Sequence, residues 1–283
     1  MELLSLVNDV VFKIFFTSKA NEHLLIHFLQ TVLGLSEGSL TEVTILNPEL
    51  PKLTVDDKGL TVDLYAKTQT GDLFHIEMQA KGHEFFKERV TSYHSKSFST
   101  QLAPGEGYDQ IKRTISVIVT DFILIETSSR YHNTFMWRNE EGLVFTEVQQ
   151  IHTLEIPKLP EHPTSDKASW LKLFKAKEAS EMEQAIQDTP MIKQALVSLR
   201  EISADEKIRE AARIREESLR LQHTIEKSAE RRGLEQGIEQ GIEQGIEQGI
   251  ELTAKNLLAM GLSVEQVMQG TGLSEAKVSA LQK

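Results

Sequence analysis

The stretch from Leu60 to Ala80, LTVDLYAKTQTGDLFHIEMQA, decides the fold. Val62, Leu64 and Ala66 alternate with Asp63 and Tyr65, the period of a strand with one aliphatic and one polar face. Gln69, Thr70, Gly71 and Asp72 have turn chemistry, after which Phe74, Ile76 and Met78 alternate with His75, Glu77 and Gln79. The pattern predicts a β-hairpin. Paired antiparallel, its strands bring Asp63 and Glu77 close enough to share one divalent cation. Two carboxylates at that range repel unless a metal or a proton intervenes, and a hard cation such as Mg²⁺ prefers oxygen ligands. That is the chemistry of metal-assisted phosphodiester hydrolysis. The plain alternative is a half-buried sheet whose outer face is polar by default.

Outward from the hairpin, the N-terminal side opens with Asn8 to Lys13 and breaks at Thr17 and Ser18. A helical pattern then runs from Asn21 through Leu24, Leu25, Phe28, Leu29, Val32 and Leu33, with Gly34 as its C-terminal cap. A short strand is expected over Val43 to Leu46. On the C-terminal side, FFKERVTSYHSKSFSTQL predicts a helix that ends before Pro104. Spacing by four aligns Phe85, Arg89 and Tyr93 on one stripe, with Lys96 a turn further on. Such a face is either solvated surface or a set of cations facing a scissile phosphate. The run RTISVIVTDFILI, Arg113 to Ile125, predicts a central buried strand, and a further strand pair fits Phe135 to Ile156. The order helix, strand, hairpin, helix, buried strand describes an α/β core with a mixed sheet and helices on its faces.

The chain has 283 residues, enough for one sizeable core with a long remainder. It has no cysteine, which removes disulfides, thiolate zinc sites and cysteine nucleophiles and fits a reducing, cytoplasmic setting. No apolar run approaches the length needed to span a membrane, and the start, MELLSLVNDVVFKIFF, carries Asp9 and Lys13 and reads as part of the fold rather than a signal peptide. A net charge of −11 excludes a chain coated in basic surface, so contact with nucleic acid must be local and salt-sensitive.

The ordered set NDVVFKIFF, VDLYAKT, HIEMQ and ERVTSYHSKSFSTQLAPGEGYDQIKRTISVIVTDF resembles the bacterial recombination-promoting nucleases and transposases of the PD-(D/E)XK superfamily. The resemblance spans essentially the whole chain. It implies a restriction-endonuclease-like core over residues 1–160 that acts on double-stranded DNA with Mg²⁺ or Mn²⁺. On this sequence it makes Asp63 and Glu77 the metal ligands and puts Gln79 where the superfamily pattern has lysine. An amide cannot supply that positive charge. Lys96 is the first candidate to do so and Arg89 the second, while Gln79 orients a water or ligates through its carbonyl. Asp9 is a candidate outer metal contact or the cap of the first helix. His75 reads as a rim residue and is left out of the catalytic set. A nuclease fold that holds DNA or a partner without cutting is the competing reading.

The rest of the chain is helical in pattern. Residues 161–232 read as a helical extension with a break at Asp188 to Pro190 and a further helix opened by Ser203 as N-cap. Residues 233–251, GLEQGIEQGIEQGIEQGIE, form a repeat in which each four-residue unit turns a helix by about 400°, so like residues drift by roughly 40°. Glycine costs such a helix about 1 kcal/mol per residue. A semi-flexible spacer or a right-handed coil with a second copy both fit. Residues 252–283 predict short helices capped by Ser263 and Ser274, a helix-turn-helix-like module. Its last helix offers Glu275, Lys277, Ser279 and Gln282, thin for phosphate contact, so docking or homodimerisation is expected over DNA reading. The family resemblance also implies that this piece can exist as a separate short product that restrains the full-length nuclease.

Overall fold

The computed structural model describes residues 2–46, 49–50, 60–61, 64–162, 164–178 and 189–281. Its first compact unit spans Met1–Glu216 and its second Glu217–Lys283.

The first unit is built on a six-stranded mixed sheet. Its strands are β1 (Val43–Ile45), β4 (Leu64–Thr68), β5 (Leu73–Gln79), β6 (Thr114–Thr120), β7 (His132–Arg138) and β8 (Val144–Glu155), in the order β1-β4-β5-β6-β8-β7. A separate two-stranded sheet joins β2 (Glu49–Leu50) and β3 (Leu60–Thr61). The expected hairpin is β4 and β5, antiparallel, with Leu64 opposite Ile76 and Tyr65 opposite His75. Gly71 takes φ +89 in its turn, where the Thr68 N–H donates to the Asp72 carbonyl. β5, β6 and β8 run parallel, and β6 is buried at every position, as its β-branched run requires. This strand is shorter than the apolar run that encodes it. The chain turns after Thr120, whose hydroxyl donates to the Phe122 carbonyl, while the Asp121 N–H donates to the Gln79 carbonyl.

Period two gives the sheet two different faces. Phe74, Ile76, Met78, Ile115, Val117, Val119 and Leu154 enter the main core, covered by α1 (Asp9–Thr17), α2 (Glu22–Leu33), α4 (Asp166–Lys175) and α5 (Pro190–Ala204). Phe12, Phe16, Phe28, Trp170 and Phe174 interlock there in edge-to-face and tilted pairs. Among the described residues the other face carries one helix, α3 (Phe86–Ser99), whose Phe86 and Val90 pack on Ile118.

Caps fall close to the expected places, with two changes. Gly34 closes α2 at φ +67 as expected. The first helix is capped by Asn8, which accepts from the Val10 and Val11 N–H groups, and Asp9 follows as its first residue. Asp205, not Ser203, caps α6 (Glu206–Ala259) through the Lys207 and Ile208 N–H groups. Ser203 lies in the last turn of α5, where its hydroxyl donates to the Leu199 carbonyl and accepts from the Leu4 N–H.

In the second unit α6 stays helical through the whole four-residue repeat. Nothing stands within 4 Å of where a Cβ would sit on Gly233, Gly237, Gly241, Gly245 or Gly249. Ala254, Val267 and Val278 form a small core between α6, α7 (Val264–Thr271) and α8 (Glu275–Ala280). Ser263 and Gln266 make a reciprocal capping box, Ser274 caps the last helix, and Gly261 and Gly272 take positive φ between helices.

Candidate active site

β5 presents His75, Glu77 and Gln79 to the α3 side of the sheet, and α3 lies over them. The face expected to be open is closed. His75 is 1% and Glu77 5% exposed, because the helix that follows the hairpin folds straight back across it. Arg89, one turn into α3, donates to Glu77 Oε1 and, at 3.0 Å, to Gln79 Oε1. Its guanidinium lies 5.1 Å from the Phe86 ring centre and 5.9 Å from that of Tyr93. The Phe85, Arg89, Tyr93 stripe therefore divides. Phe85 is exposed, whereas Arg89 and Tyr93 turn toward the strand.

Two further residues complete this buried layer. Ser116 on β6 lies with its Oγ 2.8 Å from His94 Nδ1 and 3.3 Å from His75 Nδ1, bridging helix and strand. Burial, with the neighbouring His75 adding to it, pushes the His94 imidazole down to about 4, while a hydrogen bond to Gln149 works the other way. His94 is therefore neutral at pH 7. The ring of His75 is fixed by Ser116 and by Tyr93, 5.9 Å away, and turns Nε2 to within 3.5 Å of Glu77 Oε2. Neither of those two atoms has a hydrogen-bond partner, and both are buried. His75 is thus an inner residue rather than one of the rim.

The sequence-predicted residues separate as follows. Glu77, Gln79 and Arg89 form one contact group. Lys96 is half-buried on α3, two turns beyond Arg89. Asp63 lies outside the described residues; the rung beside Glu77 is Leu64 with Ile76. Asp9 is held elsewhere, since Arg215 Nε lies 2.9 Å from both of its carboxylate oxygens.

Glu77 supplies one oxygen of the kind a hard cation takes. That oxygen is buried with no hydrogen-bond partner and faces His75 Nε2 at 3.5 Å, an arrangement that costs free energy unless a cation or a proton meets it. Among the described residues no three acidic or imidazole side chains converge into a complete metal-ligand set.

A model of the PD-(D/E)XK nuclease family transposases matches residues 6–227. The chain belongs to this family. A second model, the C-terminal HTH domain of the Rpn/YhgA-like nuclease family, matches residues 254–283. Comparison with curated proteins and with solved structures gives no match. The predicted mixed sheet lies within this transposase-family nuclease domain, and the predicted helical C-terminal region follows it.

Two polar clusters had no signal in the sequence. Glu155, fully buried at the end of β8, accepts from the Leu124 and Ile125 N–H groups at 2.8 and 3.2 Å and pairs with Lys158 at 2.7 Å. It ties down the loop that leaves β6. On the opposite face of the sheet, His132 Nε2 lies 3.0 Å from His152 Nδ1, and Lys167 Nζ 2.9 Å from His132 Nδ1. Burial, then the charge of Lys167, lowers His132 to about 3 and His152 to about 4. Only the folded chain brings these groups together.

Proposed function

We propose that the protein is a Mg²⁺- or Mn²⁺-dependent DNA endonuclease of low sequence specificity, serving recombination, transposition or phage defence. The observation that carries this reading is the divided carboxylate of Glu77, one oxygen held by Arg89 and the other buried with no hydrogen-bond partner. In this reading Asp63 and Glu77 hold the cation. When bound, it polarises the phosphate and lowers the pKa of an attacking water.

The chain's own groups do the rest. Arg89 fixes the Glu77 rotamer and brings a guanidinium to the place where the superfamily pattern puts a lysine, beside Gln79. With Lys96 it offsets charge that develops on the phosphate. Gln79 is pinned from both ends, accepting from Arg89 and donating to the Lys81 carbonyl at 3.1 Å. Its amide is oriented to position a water. His75 and Tyr93 close the site from below and keep bulk solvent away.

The HTH module gives the nuclease a second DNA contact or a dimer contact. Ile238, Ile242 and Ile246 remain more than half exposed along the repeat, which favours self-association through α6.

The test is nicking of supercoiled plasmid by the full-length chain with Mg²⁺ or EDTA, for wild type, Asp63→Ala and Glu77→Ala. Nicking that needs the metal and both carboxylates is the expected result. A folded wild type that binds DNA but fails to cut in any divalent metal would instead establish the non-cleaving binding module.

A further inference from the structure

The sheet face under α3 continues beyond Glu77. On one rung Glu77 pairs with Ile118 and Ile118 with Thr153, so three neighbouring strands point these side chains the same way. Two strand spacings, about 10 Å, separate Thr153 from Glu77, the scale of one nucleotide. There a cavity of about 260 Å³ opens between α3, β7 and β8, walled by Val90, Ile118, Leu124, Phe135 and Ile151. It falls just below the range of pockets for drug-sized ligands and suits a single flat ring system.

Its chemistry is more specific than its size. Thr153 also lines the cavity, is 3% exposed, and its hydroxyl is buried with no hydrogen-bond partner. An unpaired buried hydroxyl costs about 1–3 kcal/mol, which a ligand with a polar edge recovers. Phe135, 44% exposed, offers a ring face for stacking, and Trp137, 59% exposed, stands two residues along the same strand. Lys87 and Thr91 are exposed on α3 at the rim. Apolar walls with one aromatic ring, an unpaired hydroxyl buried just behind them and an ammonium group at the mouth match a nucleobase with its phosphate outside.

We propose that this cavity receives a base swung out of the DNA strand whose phosphate lies at Glu77. The proposal rests on the nuclease reading above. Extrusion costs a few kcal/mol, least where a base is mismatched or already unpaired, so the site selects positions that unstack easily.

The test uses the full-length chain with duplexes that carry a fluorescent purine analogue at successive positions, first in EDTA so that no cutting occurs. Emission rises when the analogue leaves the stack. With wild type we expect the rise at one position, weakened by Thr153→Val and lost in Thr91→Trp, which plugs the cavity from an exposed helix position. In Mg²⁺, Thr91→Trp should cut an ordinary duplex about tenfold more slowly than wild type, or worse. It should cut at the wild-type rate when that position carries a baseless residue, because nothing then has to enter the cavity. Equal slowing on both duplexes, or bound DNA with no emission rise at any position, overturns the proposal. An emission rise without cutting in any divalent metal leaves the base pocket supported and removes the nuclease reading.

Discussion

Arg89 reaches from α3 to Glu77 on β5 and takes one of its two carboxylate oxygens, leaving the other buried and without a hydrogen-bond partner. A carboxylate fixed in this way is oriented before any ligand arrives, and the helix that fixes it also roofs the site.

Removing that contact should cost both stability and chemistry. Arg89→Ala strands a buried carboxylate that had a charge-assisted hydrogen bond, so we expect a loss of about 1–3 kcal/mol in denaturant unfolding. Arg89→Lys restores charge but not the fork that spans Glu77 and Gln79, so it should recover stability better than plasmid nicking. Wild-type unfolding and wild-type nicking in Arg89→Ala together would show that the pair has no role.

Glu155 carries a comparable load at the end of β8. Glu155→Gln keeps its shape but leaves Lys158, itself 9% exposed, beside a neutral amide. Breaking a buried pair from one side costs about 3–5 kcal/mol, and we expect a value near the lower end. Adding Lys158→Met should return much of it. If the double variant unfolds as early as the single one, the backbone contacts to Leu124 and Ile125 carry the stability instead.

Acid should weaken the fold through its buried imidazoles. The unfolded chain binds protons at the ordinary histidine value of 6.5, whereas the folded chain resists until about 4 at His152 and about 3 at His132. The unfolded state therefore holds more protons across that window, and stability is complete above it and declines as pH falls. Each pH unit below 6.5 costs on the order of 1 kcal/mol per imidazole. Unfolding curves between pH 7 and pH 4 should show this slope, and His132→Gln should flatten it.

The repeat offers a gain rather than a loss. Gly237, Gly241 and Gly245 sit in a helix with open space where a side chain would go. Alanine at each should stabilise the helix by about 1 kcal/mol. Circular dichroism should show later melting of the helical signal in the triple variant, with nicking unchanged.

The parts of the fold written in local order were legible. Period two along Phe74 to Gln79 marked β5 and put Glu77 on the right face, and Gly34, Ser263 and Ser274 marked helix ends that the structure keeps. What escaped was made by contacts distant in sequence. Ser116 meets His94 across 22 positions, and Glu155 meets Leu124 across 31. No local pattern announces such pairs. Burial of the polar face was missed for a similar reason: alternation says which side chains share a side, but not that α3 folds back over them.

One helix serves two neighbours on that face. Arg89 of α3 holds Glu77, while Val90 and Thr91, the next two residues, border the cavity over β8. A shift of α3 as a rigid rod moves both at once, so under the proposed function changes in its packing would couple rate to substrate choice. Ile151 and Thr153 border the same cavity from the strand side, on their own strand β8, away from Arg89 and Glu77. If the proposed function holds, variation that retunes which DNA is chosen, while leaving turnover intact, has its freest ground there.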